Sequence, residues 1–124
     1  MQEKILVVDD EQEICNMLKE FLTLKGYVVT AVLNGEEALV KIKEEKPVVV
    51  LLDIKMPGMD GIEVLKKIKE IDKQIPVVVM ITAVKDEDIA RKCMDLGAYD
   101  YITKPLSLEY LETVLAVKLL YLKK

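Results

Sequence analysis

The chain has 124 residues, a net charge of −4, two cysteines and no histidine. That length fits one domain, and folding a chain of this size buries about two-thirds of its unfolded surface, enough for a core without disulfide or metal staples. Lacking histidine, it has no Ser-His-Asp or Cys-His nucleophile system, no His-ligated zinc and no phosphohistidine of its own. With a pI near 5.0 and no basic block, it is not expected to bind nucleic acid by neutralising phosphates.

Met1 to Lys4 lead straight into an apolar run, so no signal peptide is expected, and no apolar run approaches a membrane span. Together with reduced, buried cysteines, this predicts a cytoplasmic domain with no membrane partner. Ile5 to Val8 reads as a first strand, because a short continuous β-branched run suits a strand buried on both faces. Ile14, Met17, Leu18, Phe21 and Leu22 then follow helical spacing, ending near Gly26. Tyr27 to Val32 is a weaker strand. Asn34, with Glu37 three positions on, resembles a capping box before the stripe Ala38, Leu39 and Ile42.

Val48 to Leu52 is the third strand. The patch Lys55-Met56-Pro57-Gly58-Met59-Asp60-Gly61 is a loop, and Ile62, Leu65 and Ile68 mark the next helix. Val77 to Ile81 is the fourth strand. Asp86 is a candidate N-cap before the stripe Ile89, Ala90, Cys93 and Met94, with Gly97 at its end. Ala98 to Ile102 is again a weaker strand, the fifth. Ser107 is placed to cap a last helix over about 107–122, with one apolar stripe of Leu108, Leu111, Leu115, Leu119 and Leu122 and a second of Tyr110, Val114, Val117 and Tyr121. One face of that helix can dock on the sheet while the other is free for a partner or a second copy of the chain.

Five β-α units with short connections imply a parallel sheet with right-handed crossovers and helices on both faces. They fill residues 1–124 as a single domain, with no output domain expected on this sequence. In such sheets ligands bind beyond the carboxyl ends of the strands, at a topological switch point. Asp9 and Asp10 follow the first strand, Asp53 the third, Thr82 and Ala83 the fourth, and Lys104-Pro105 the fifth.

Clustered carboxylates repel one another unless a cation sits among them, and all-oxygen ligands suit a hard divalent ion such as magnesium. Adding a hydroxyl and a lysine suggests phosphoryl chemistry, and without histidine, serine or cysteine in the cluster the natural nucleophile is a carboxylate. Asp53, on the central buried strand, is the better-placed nucleophile; Asp9 and Asp10, opening a helix, are better placed to hold metal. Taken singly, each residue has a plainer reading: Asp10 with Glu13 as helix-start acids, Asp53 as a turn residue, Thr82 as strand-end polarity, Lys104 as a solvated lysine, Pro105 as a helix start. Their joint occurrence at successive strand ends favours a site.

With Asp9-Asp10, Asp53 followed by Met56 to Gly61, Thr82-Ala83 and Lys104-Pro105, the sequence resembles the receiver domain of two-component response regulators along essentially its whole length. The resemblance implies a flavodoxin-like (βα)5 three-layer sandwich with sheet order 2-1-3-4-5. It implies that Asp53 accepts a phosphoryl group from the phosphohistidine of a sensor histidine kinase or phosphotransfer protein. Asp10 and Asp53 would then bind Mg2+ directly, Asp9 through a metal-bound water, and Lys55 through its backbone carbonyl. Thr82 and the Ala83 amide would contact phosphoryl oxygens, and Lys104 would pair with the phosphate.

The resemblance also implies a cis Lys104-Pro105 bond, a switch formed by Thr82 and Tyr101, and a signal passed through helix 4, strand 5 and helix 5 to an output domain or protein. Such a chain catalyses its own phosphorylation and dephosphorylation, so "enzyme" is only partly apt. The alternatives are a receiver-like interaction module with little phosphorylation, an aspartyl-phosphate hydrolase and a flavin domain. A hydrolase would want a second acid at position 55, where Lys55 stands. A flavin domain would want a Ser/Thr/Gly-rich loop where Asp9 to Glu13 stand.

Overall fold

The computed structural model describes residues 2–122. In chain order it comprises β1 (Lys4–Val8), α1 (Gln12–Leu24), β2 (Val28–Val32), α2 (Gly35–Glu45), β3 (Val49–Leu52), α3 (Gly61–Ile71), β4 (Val77–Thr82), α4 (Glu87–Asp95), β5 (Asp100–Thr103) and α5 (Leu108–Leu122). All strand pairings are parallel, in the order β2-β1-β3-β4-β5. The predicted architecture and strand order are both present. Strand starts differ from the sequence reading by one or two residues at β1, β2, β3 and β5.

The apolar runs of the strands divide by parity, because side chains alternate across a sheet. Leu6, Val8, Val50, Leu52, Val78 and Met80 pack beneath α2, α3 and α4. Ile5, Val7, Val49, Leu51, Val77, Val79 and Ile81 pack beneath α1 and α5. Both layers are buried, which explains why these strands read as unbroken hydrophobic runs. Cys15 belongs to one layer and Cys93 to the other, and both are free thiols.

Helix ends follow local chemistry. The Asn34 side chain accepts the Glu37 N–H at 2.8 Å, and its amide donates to the Glu37 carboxylate at 3.2 Å. Glu37 therefore meets the side chain of Asn34, where a full capping box would meet its backbone. Asp86 accepts the N–H groups of Asp88 and Ile89, and the Ser107 hydroxyl accepts that of Tyr110. Asp60, read in the sequence only as part of a loop, caps α3 by accepting the Glu63 N–H at 2.9 Å.

Three helical stripes are narrower than their spacing predicted. Met17 is exposed on α1, where Cys15, Leu18 and Leu22 are buried. On α4 only Cys93 is buried, and Met94 is exposed. On α5 Leu111, Leu115 and Leu119 are buried; the Leu122 side chain lies outside the described residues. Val114, assigned in the sequence to the second stripe, packs against the core layer of α1 and α5, while Tyr110, Val117 and Tyr121 are exposed. A helix is round, so residues at the margins of its apolar arc turn toward solvent first. No described helix is long and apolar enough to cross a membrane.

Candidate functional site

The strand order reverses between β1 and β3, and the chain leaves both strands at the same edge. Ladder bonding carries the backbone just past each strand: the Asp9 N–H donates to the Val32 carbonyl, that of Asp53 to Val8, and that of Lys104 to Thr82. These bonds fix where the side chains emerge. Gly61 brings the start of α3 onto this edge, its N–H donating to the Ile54 carbonyl at 2.8 Å. A Cβ at Gly61 would collide with the Asp53 carbonyl, so the close approach requires glycine.

Asp9 and Asp53 are buried beside Lys104. The lysine ammonium lies 2.8 Å from Asp9 Oδ2, 3.2 Å from Glu11 Oε1 and 3.5 Å from Asp53 Oδ2. The other oxygen of each aspartate is held by backbone: Asp9 Oδ1 accepts the Glu11 N–H, and Asp53 Oδ1 accepts that of Ile54. Each side chain is thus fixed at one oxygen and presents the other to the pocket. Burial disfavours the Lys104 ammonium, but its hydrogen bond to Asp9, the charges of Asp53 and Asp9 and its hydrogen bond to Glu11 outweigh it, holding the lysine protonated well above its ordinary range. Burial pushes the Asp9 carboxyl up, against the hydrogen bonds from Lys104 and the Glu11 amide.

Asp10 is exposed at the rim. It does not cap α1: the N-cap position is Glu11, which makes no side-chain capping bond. Asp9, Asp10, Glu11 and Asp53 each place a carboxylate oxygen within 4.8 Å of the others. This oxygen-only donor set fits a hard divalent cation. Asp9, Asp10 and Asp53 are expected from the strand-end pattern; Glu11 is not. The only signal available for Glu11 was its position directly after Asp9-Asp10.

Thr82 and Ala83 lie at the same edge on the neighbouring strand, but the buried Thr82 hydroxyl accepts the Val84 N–H at 3.3 Å, with no bond to the acidic cluster. Ala83 and Lys55 are exposed; Lys55 lines an open cleft with Asp10, Pro57 and Asp60. The Lys104-Pro105 bond is cis, as the resemblance implied. Tyr101 is half-buried, and its hydroxyl donates to the Val84 carbonyl at 2.7 Å.

Fold and site together define a doubly wound α/β domain with a lysine-closed carboxylate centre at its switch point. Comparison with known proteins gives that class a family. The model of the response regulator receiver domain matches residues 5–116. The sporulation initiation phosphotransferase F of Bacillus subtilis is 43% identical over 109 residues, covering 88% of this chain and 87% of that protein. The alkaline phosphatase synthesis transcriptional regulatory protein PhoP of Bacillus subtilis is 45% identical over 108 residues; the match covers 86% of this chain but 44% of that longer protein. Among solved structures, a chain of the CheX-CheY-BeF3-Mg+2 complex from Borrelia burgdorferi superposes with a TM-score of 0.84 at 36% identity, covering 93% of this chain and 88% of that one. The chain belongs to the response regulator receiver domain family and is a two-component signalling domain.

Proposed function

We propose that Asp53 is the phosphoacceptor of this receiver domain. The observation that carries this reading is the Asp53 carboxylate itself: buried, pinned at one oxygen by the Ile54 amide, and 3.5 Å from the Lys104 ammonium at the other. In the transfer, Asp53 Oδ2 attacks phosphorus in line. The P–N bond of a partner's phosphohistidine, its ring protonated on the other nitrogen, breaks with the electron pair staying on nitrogen, so the histidine leaves as neutral imidazole. Hydrolysis of the acyl phosphate by water then restores the carboxylate. Lys104 offsets the charge that gathers on the phosphoryl oxygens, and it is already ordered and protonated at the site.

Asp9, Asp10, Asp53 and the Lys55 carbonyl are the residues that would hold Mg2+, which when bound supplies positive charge against the transferring group. Thr82 and the Ala83 amide take phosphoryl oxygens. Thr82 then exchanges its bond with the Val84 amide for one to phosphate, shifting the loop to which Tyr101 is tied, so that Thr82 and Tyr101 switch the surface of α4, β5 and α5. Support comes from the family, from the name of the phosphotransferase relative and from the BeF3 and Mg2+ in the Borrelia complex.

Residues 1–124 form one such domain, working in the cytoplasm. Its partners are a sensor histidine kinase or phosphotransfer protein upstream and an output domain or protein downstream, with a homodimer through the exposed face of α5. Mg2+-dependent binding of beryllofluoride tests the chemistry. NMR signals of Thr82, Val84 and Tyr101 should shift in the parent and stay in place in Asp53→Asn. Unmoved signals in the parent would contradict the reading.

A further inference from the structure

Lys104 occupies the acidic cluster as a resident cation. Its shortest contact is to Asp9, one of the carboxylates that a divalent ion needs, and its side chain is only 11% exposed. Entry of a second cation therefore requires the ammonium to withdraw from Asp9 and Asp53, because like charges a few ångströms apart repel strongly. A lysine that withdrew to bare solvent would lose its charge-assisted bonds.

Glu11 offers somewhere to go. Its carboxylate lies 3.2 Å from the ammonium and is 58% exposed, at the rim of the pocket. Its backbone is fixed, since its N–H donates to Asp9 Oδ1 at 2.9 Å. Its side chain is not used to cap α1, although it occupies the N-cap position. A carboxylate released from the usual duty of its position and turned to a lysine 93 residues away is placed by the site.

Resting on the reading of Asp9, Asp10 and Asp53 as cation ligands, we propose that Glu11 is a positioning residue for Lys104: it receives the ammonium when a divalent cation enters, and so raises the cation affinity of the site. Glu11 acts through the lysine, and the cation ligands remain the aspartates.

A double-mutant cycle on Mg2+ binding tests this, with calorimetric titration of the parent, Glu11→Gln, Lys104→Met and the double variant. Glu11→Gln should weaken Mg2+ binding by about fivefold, the order expected for losing one exposed, partly screened carboxylate contact. Lys104→Met should tighten it, since no resident cation has to move. In the Lys104→Met background, Glu11→Gln should change the affinity by less than about twofold. An equal loss in both backgrounds would overturn the proposal, because Glu11 would then act by its own field or as a ligand. An unchanged affinity in Glu11→Gln would also overturn it. If the parent binds no Mg2+ at all, the underlying cation site fails as well, which separates the two claims. Glu11 is exposed, so thermal unfolding of Glu11→Gln should match the parent and exclude misfolding as the cause.

Discussion

The Tyr101 hydroxyl donates to the Val84 carbonyl across 2.7 Å, joining β5 to the loop after β4. The loop is therefore held from two sides, because the Val84 N–H donates to Thr82. Tyr101 is half-buried, and this bond ties its hydroxyl to protein. Removing the oxygen in Tyr101→Phe should cost about 1 kcal/mol, the net worth of a typical hydrogen bond. Urea unfolding checks the loss, and amide exchange at Val84 and Lys85 should quicken. Unchanged exchange there would mean that the bond does not hold the loop.

Gly61 should be far less tolerant than Gly26. An alanine at Gly61 meets the backbone of Asp53 and Ile54, which cannot move without displacing β3. Gly61→Ala should destabilise by about 2 kcal/mol, as overpacking does. Gly26 has open space around it but a φ of 97°, so Gly26→Ala should cost only about 1 kcal/mol for backbone strain. Denaturant midpoints of the two variants decide the order.

Neither thiol should react in the folded protein. Burial, with the Asp9 carboxylate nearby, pushes Cys15 up to about 11, and burial likewise raises Cys93. Thiol reagents attack the thiolate, so at pH 8 little of either form is available. A colorimetric thiol assay should stay flat in buffer and report two thiols in denaturant. With the cysteines in separate core layers, non-reducing electrophoresis should show no internal cross-link.

The two sides of α5 should behave oppositely. Leu115 is buried against the sheet, and Leu115→Ala should cost about 3 kcal/mol. Tyr121 is 68% exposed, and Tyr121→Ala should stay within about 0.5 kcal/mol of the parent. If the exposed face joins two copies, sedimentation with beryllofluoride and Mg2+ should show a dimer that Val117→Glu disperses. A monomer both with and without beryllofluoride would contradict self-association.

Much of this was legible in the sequence for physical reasons. Val77 to Ile81 are all buried, and a strand covered on both faces reads as an apolar run. Asp9, Asp53 and Thr82 were visible because each closes such a run, where polarity begins abruptly, whereas Lys104 follows the half-exposed β5. What escaped depended on tertiary placement. Met17 and Met94 fit their helical stripes, but the roll of each helix leaves them in solvent. Glu11 looks like any acid opening a helix, and its partner Lys104 comes from the far end of the chain. The Tyr101 bond depends on where the β4–α4 loop settles, which no local pattern encodes.

The central claim is that Asp53 accepts the phosphoryl group. Intact-mass spectrometry after incubation with Mg2+ and a small acyl-phosphate or phosphoramidate donor tests it most directly. The parent should gain the mass of one phosphoryl group and Asp53→Asn none. An adduct that persists in Asp53→Asn, or a parent that gains no mass with any donor, would contradict it.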